Sequence, residues 1–300
     1  MSNFPDFKVP GFDMDRYNRQ FREKNMIICA RSKSVFYDKH WGCLSLKFVT
    51  RGKEYYETDH SIFSVDPSRF LVLNRDTEYS SYIDSPVEVE SFTLNFAEDF
   101  TRSVLSGTQE DLLEDTCKVD TLRVIERLFP RENQVYPIAK KIYDQVDEVN
   151  EKNDEIAELF VELMLALLKL NDVVSDEIGS VRKIKASTQM ELYRRLYNAK
   201  DFIDTCFSED IDLDRIASVA CLNREYFIRQ FKNHFRITPI QYLIKKRMEE
   251  ARLRLINSDE TISTICQDLG YSDATSFGKL FRRLYKTNPE NFRLSHRPVL

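Results

Sequence analysis

Nowhere in the 300 residues is there a GxSxG nucleophile elbow, a P-loop, an HExxH pair or a dinucleotide fingerprint. Their absence removes the commonest sequence-encoded routes to acyl transfer, phosphoryl transfer, zinc hydrolysis and hydride transfer. Histidine is scarce, with four in the chain and only His40 and His60 in its first half. A metal site in a small β-barrel needs several His and a carboxylate converging on one ion, so these two read as surface or hydrogen-bonded residues. No metal or other cofactor is expected. The six cysteines, Cys29, Cys43, Cys117, Cys206, Cys221 and Cys266, contain no C-x-x-C pair and read as reduced, mostly buried small hydrophobes. The longest apolar run, Leu163 to Leu168, is far short of a membrane span, and the N-terminus MSNFPDFKVPGFDMD has acids and prolines where a leader has bases and apolar residues. The expected location is the cytoplasm, with no membrane partner.

What is present is an ordinary soluble composition, 42% hydrophobic and 31% charged, in a chain long enough for two hydrophobic cores. Charge is unevenly divided. Residues 181 to 300 hold 22 Lys or Arg against 15 Asp or Glu, or +7; residues 1 to 180 hold 22 against 34, or −12; the sum is the net −5. Only the basic half can neutralise phosphates.

That half contains a repeated unit. FKNHFRITP starts at 231 and FRRLYKTNP at 281, 50 residues later. Each copy follows the same plan. In the first, Asp212 caps a short helix carrying Leu213, Ile216, Ala217 and Val219 to Leu222, and Asn223 caps a second helix that turns Phe227 and Phe231 inward. In the second, Thr261 caps Ile262, Ile265, Cys266 and Leu269, Gly270 makes the turn, and Ser272 is expected to cap the helix bearing Phe277 and Phe281. Two short helices joined by a tight turn form a helix-turn-helix, whose second member lies in the DNA major groove.

The outward residues fit that role. Glu225, Ile228, Arg229 and Lys232, with Arg224 beside them, occupy one face of the first recognition helix. Thr275, Gly278, Lys279 and Arg282, with Ala274, occupy the same places 50 residues on. Arg and Lys can bond the guanine acceptor edge, Ile and Ala can touch thymine methyls, and Gly lets the backbone approach. Ordinary solvated helix faces are the alternative, which the duplication disfavours. Between the units Pro239 to Ile256 reads as a helix, with a basic run at Lys245, Lys246 and Arg247. It spans about 27 Å, commensurate with the roughly 34 Å between successive major-groove faces. Glu191 to Phe207 form an opening helix.

Residues 187 to 293 resemble the double helix-turn-helix module of AraC/XylS-type bacterial transcription regulators, through IDLDRIASVACLNREYFIRQFKNHFRITPIQYLIKKRMEEARLRLI and TISTICQDLGYSDATSFGKLFRRLYKTNPENFR. The resemblance implies promoter DNA as partner, recruitment of RNA polymerase, and activation more often than repression. The departures are Arg236 and Lys286, where the family usually has a C-cap Gly, and Glu225, whose charge repels phosphate unless it accepts from a cytosine amino group.

From Met26 to Phe96 the chain runs through short segments rich in aromatic and β-branched residues, GCLSLKFVT, KEYYET, SIFSV, SRFLVLN, EYSSYI and VEVESFTLNF, punctuated by Gly52, Asp66 to Ser68 and Asn74 to Asp76. A small antiparallel barrel or sandwich is expected. The resemblance implies that it is cupin-like and binds a small effector. Trp41, Phe48, Tyr55, Tyr56, Phe63, Tyr79 and Tyr82 are the aromatics expected to line such a cavity, with plain core as the alternative for each. Tyr136 to Val149 and Glu155 to Leu170 read as two helices. Apolar residues nearly encircle LMLALL, which predicts burial on more than one side and a homodimer through the helical pair. An intramolecular contact with the barrel is the alternative.

The expected architecture is therefore α+β in two domains: residues 1–170 a barrel or sandwich with a helical pair for effector binding and dimerisation, 171–187 a linker, and 188–300 an all-α DNA-binding domain. Two other readings stay open. One is a cupin-type metal enzyme with a DNA-binding tail; the other is a regulator whose first domain docks a protein partner.

Overall fold

The computed structural model describes residues 2–3, 24–59, 61–75, 77–109, 124–145, 153–179 and 186–296. His60, Cys117, the expected helix end at Val146 to Val149 and the middle of the expected linker lie outside them. The chain forms two compact units, Met1–Arg194 and Arg195–Leu300.

The first unit is a nearly closed sheet of eight strands: β1 (Ser2–Asn3), β2 (Met26–Trp41), β3 (Ser45–Arg51), β4 (Glu54–Thr58), β5 (Ile62–Val65), β6 (Arg69–Leu73), β7 (Glu78–Asn95) and β8 (Leu128–Pro130). All pairings are antiparallel except that of β1 with β2. EYSSYI and VEVESFTLNF, expected as two strands, are one, and this 18-residue β7 organises the unit. It pairs with β2 along most of its length. Its N-terminal part also pairs with β4, and its C-terminal part with β3, which leads on to β6 and β8. A strand shared by two arms lets them face each other, and Val49, Tyr56, Phe63, Val65, Leu71, Tyr79, Ile83, Val89 and Leu128 meet in one core between them.

The other face of the sheet packs helices. Helix α1 (Glu98–Gln109) was not expected from the sequence; α2 (Val135–Asp144) and α3 (Asn153–Gly179) were, although α3 runs past Leu170 to Gly179. Alternation along β3 sends Lys47 and Val49 into the barrel and Phe48 out of it. Phe48 stacks on Phe92 and Phe70 and meets Tyr136 of α2; Phe92 stacks on Tyr143 of α2, and Phe96 meets Phe160 of α3 edge-on. Ile156, Leu159, Phe160, Leu163, Met164 and Leu167 are the buried apolar side of α3.

Among the described residues the second part of the chain has seven helices: α4 (Ala186–Cys206), α5 (Leu213–Val219), α6 (Arg224–Phe235), α7 (Pro239–Asn257), α8 (Ile262–Asp268), α9 (Ala274–Tyr285) and α10 (Pro289–His296). Helices α6 and α9 both have 12 residues and start 50 apart, as do the prolines that open α7 and α10. Asp212, Asn223 and Thr261 cap as expected, each accepting a bond from a first-turn amide. The cap of α9 is Asp273, not Ser272. Its carboxylate accepts from the Thr275 amide through one oxygen and the Ser276 amide through the other, and the Ser276 hydroxyl together with these two amides holds its pKa down to about 2. The cap is thus the homologue in position of Asn223, 50 residues earlier.

Candidate nucleic-acid interface and barrel cavity

The two helix-turn-helix units are repeated bond for bond. In the turn of the first, the Cys221 amide donates to Ser218 and the Leu222 amide to Ala217; in the second, the Gly270 amide donates to Gln267 and the Tyr271 amide to Cys266. Both turns put a residue in the left-handed region, Cys221 at φ 50° and Gly270 at φ 72°. An arginine from the preceding helix donates to the carbonyl of each, Arg195 of α4 to Cys221 (3.0 Å) and Arg247 of α7 to Gly270 (3.4 Å). A Cβ at Gly270 would come within 2.8 Å of that guanidinium. Phe227, Phe231, Phe277 and Phe281 are fully buried at equivalent places, fixing each second helix against its own unit. Helices α6 and α9 end alike, with Arg236 at φ 61° and Lys286 at φ 63°, so the left-handed C-cap is kept although neither residue is glycine.

With the inner faces committed, the outer ones are open. Arg224, Glu225, Arg229 and Lys232 on α6 are exposed, with Ile228 partly so; Ala274, Thr275, Lys279 and Arg282 on α9 are exposed, with Gly278 partly so. All ten sequence-selected residues therefore lie on the solvent sides of their helices. Two are not idle. Arg224 bonds both carboxylate oxygens of Asp214 on α5, at 3.0 and 3.1 Å, and the Arg229 guanidinium lies over the Tyr226 ring. The Arg224 pair is half exposed and weak enough for a phosphate to displace. The basic run of α7 is different. Arg247 is 8% exposed and donates to the carbonyls of Phe207 and Glu209, Lys246 pairs with Asp204, and Lys245 with Glu249. Lys246 and Arg247 thus tie α7 to α4 and to the segment that follows α4, whereas the Lys245 pair stays on the exposed side of α7. The consecutive placement of the three charges on a helix already puts them on different sides, which is the signal that they do not form one patch.

Residues 216–295 match the family model for a helix-turn-helix domain. The C-terminal module is an AraC/XylS-type double helix-turn-helix domain. The regulatory protein PocR of Salmonella typhimurium is 33% identical over 111 residues, which are 35% of this chain and 37% of that protein. The transcriptional activator RhaS of Pectobacterium carotovorum is 36% identical over 87 residues, 29% of this chain and 31% of that one. The chain thus spans about a third of the length of the curated relatives it matches. Among solved structures, the C-terminal domain of AraT, a response regulator of Geobacillus stearothermophilus, is 25% identical, with 35% of this chain and 88% of that chain covered and a TM-score of 0.34. No described helix is long and apolar enough to cross a membrane.

The AraC-type module follows a barrel whose aromatics are distributed in three ways. Tyr56 and Tyr79 line an inner cavity of about 20 Å3. Phe63 is in the surrounding core, and Phe48 is outside, under α2. Tyr55 and Tyr82 stack on each other across β4 and β7, pointing away from Tyr56, and Trp41 is 60% exposed at the end of β2. The cavity also has a polar lining that the aromatic pattern of the sequence does not mark: Lys47, Glu54, Ser81, Ser91 and Thr93. A legible signal existed. Lys47 interrupts the apolar LSLKFV of a strand buried on both faces, and Glu54 precedes Tyr56 by two, which places both on one face.

Lys47 is 3% exposed and its ammonium donates to the Tyr79 hydroxyl at 2.8 Å. Burial pushes its pKa down to about 8, against weak support from Cys43 and Glu54. Burial raises the Glu54 carboxyl, opposed by Ser91, Lys47 and Tyr56, and raises the Cys43 thiol to about 11. The His40 ring hydrogen-bonds the Asp38 carbonyl through Nδ1 and packs 4.4 Å from the Tyr79 ring, and burial lowers its pKa. Among the described residues no cluster of His, Cys, Asp and Glu could hold a metal ion.

Proposed function

We propose that the chain is a one-component transcription regulator. The AraC-type module reads promoter DNA in the cytoplasm through α6 and α9 in successive major grooves, and the barrel binds a small effector that changes how tightly the module binds. One observation carries the reading. Two helices of equal length, capped at equivalent positions and with matching buried Phe pairs, offer open side chains at equivalent positions in the basic part of an otherwise acidic chain. Arg229, Lys232, Lys279 and Arg282 are the charged readers, with Ile228, Ala274, Thr275 and Gly278 at the apolar and close-approach positions. Arg224 and Glu225 stand at the rim, where Arg224 must leave Asp214 to reach a phosphate.

The test is selection of bound sites from a random DNA pool with the full-length protein, then affinity over a salt series. Two short sequence blocks about one helical turn apart, with a steep salt slope, are expected. Uniform weak binding without an enriched motif refutes sequence-specific reading. An effector acts only if it binds one arrangement of the regulator better than another. The regulator works as a homodimer through α3, on which Val161 is exposed while Leu165 and Leu168, four and seven residues on, are only partly buried. A monomeric mass at micromolar concentration in sedimentation refutes that part. Promoter activation through RNA polymerase completes the proposal, and a reporter whose output falls with added protein would reverse its sign.

A further inference from the structure

The cavity between β3, β4 and β7 holds two opposite charges that do not meet. Glu54 is 7% exposed; Ser91 and Tyr56 hydrogen-bond its carboxyl, but its Oε2 has no hydrogen-bond partner. Among the described residues no ion pair joins it to Lys47, although both line the same space. An orphan buried carboxylate oxygen is costly, and a donor from a water or a bound molecule in the cavity would satisfy it. The partly exposed lining residues Ala30, Val35 and Tyr37 all belong to β2, so the cavity opens there. Its volume of about 20 Å3 admits a water or the polar end of a small molecule.

We propose that this cavity binds a small molecule of zero net charge, whose polar end presents a hydrogen-bond acceptor to Lys47 and a donor to Glu54, as a primary amide does. The proposal rests on the effector reading above and names the effector's chemical class. An anion would satisfy Lys47 but meet the Glu54 carboxylate; a cation would satisfy Glu54 but meet the Lys47 ammonium. Either would leave an uncompensated charge inside the barrel, the arrangement that burial penalises most. A neutral group with both functions satisfies both residues and adds no charge. The Tyr79 hydroxyl, already bonded to Lys47, fixes the ammonium that the acceptor must meet.

Three isosteres separate the possibilities: acetate, acetamide and acetamidinium, titrated into the full-length protein while the ring resonances of Tyr56 and Tyr79 are followed by NMR. Acetamide is expected to shift both saturably in the millimolar range, as suits so few atoms, and the two ions to bind at least tenfold more weakly. In Glu54→Gln, acetate is expected to reach the affinity of acetamide, because the repelling charge is gone. If that variant does not fold, the ranking of the three probes on the unaltered protein decides alone. Acetate binding as tightly as acetamide, or no saturable shift with any probe, overturns the proposal and leaves the cavity to water. DNA affinity measured at saturating acetamide separates the two claims. A saturable site with unchanged DNA affinity keeps the ligand assignment and overturns the effector reading, whereas a different ligand that changes DNA affinity without moving Tyr56 or Tyr79 does the reverse.

Discussion

Replacing Gly278 by Ala should strengthen the fold and weaken the function. Gly278 sits in the middle of α9, where glycine is roughly 1 kcal/mol less favourable than alanine. Packing does not require glycine there, since a Cβ at Gly278 would meet nothing within 4 Å. Gly52 and Gly270 differ, with positive φ and a Cβ that would approach Val89 or Arg247 to 2.7 and 2.8 Å. On the proposed reading face the missing Cβ at Gly278 allows a close approach of the helix backbone to a base or sugar. The variant should gain about 1 kcal/mol, which for a unit of this size raises its melting midpoint by about 4–8 °C. Its affinity for the selected operator should fall at least tenfold, a loss of about 1.4 kcal/mol. Differential scanning calorimetry and fluorescence anisotropy on the same preparation read both quantities. Higher stability with unchanged affinity would refute the close approach, and lower stability would show that the open space beside Gly278 is not open in solution.

Arg229→Ala and Lys279→Ala should each relax base preference at one operator position for about 1–3 kcal/mol in repeated site selection; equal weakening on all sequences would place them on phosphate. Cys221→Gly should stabilise the C-terminal unit by about 1 kcal/mol in urea unfolding, because Cys221 at φ 50° occupies the left-handed turn position that Gly270 fills in the second unit; Cys221→Ala, which keeps a Cβ, should not. For Lys47, whose pKa is about 8 in the fold and near 10.5 when unfolded, the unfolded chain binds more protons above pH 8, so stability should rise with pH by up to roughly 1 kcal/mol per unit between pH 8 and 9. At higher pH the Cys43 thiol, held near 11, opposes the trend. Lys47→Met should remove the rise, and denaturant titrations at three pH values would detect its persistence.

The double helix-turn-helix was legible because its information is local. The 50-residue offset, the caps Asp212, Asn223 and Thr261, the inward Phe pairs and the prolines each depend on residues within one or two turns of each other, so the sequence alone set the helices, the turns and the ten outward positions. It misplaced the α9 cap by one residue, since Ser272 and Asp273 are both good caps and only the geometry chooses the carboxylate that takes two amides. It also assigned Lys246 and Arg247 no partners, because those are a carboxylate and a carbonyl far back in the chain, 42 residues from Lys246 to Asp204 and 40 from Arg247 to Phe207.

In the barrel the balance reverses. The alternation of its segments fixed β-structure, but strand pairing decides which alternate set faces inward, and pairing is a long-range property. Only the tertiary structure joined two segments into β7, turned Phe48 toward α2, left Trp41 in solvent, and brought Lys47 of β3 and Glu54 of β4 to one cavity. Local hydrogen bonding and periodicity are written along the chain; which buried charge faces which is settled by the closure of the sheet.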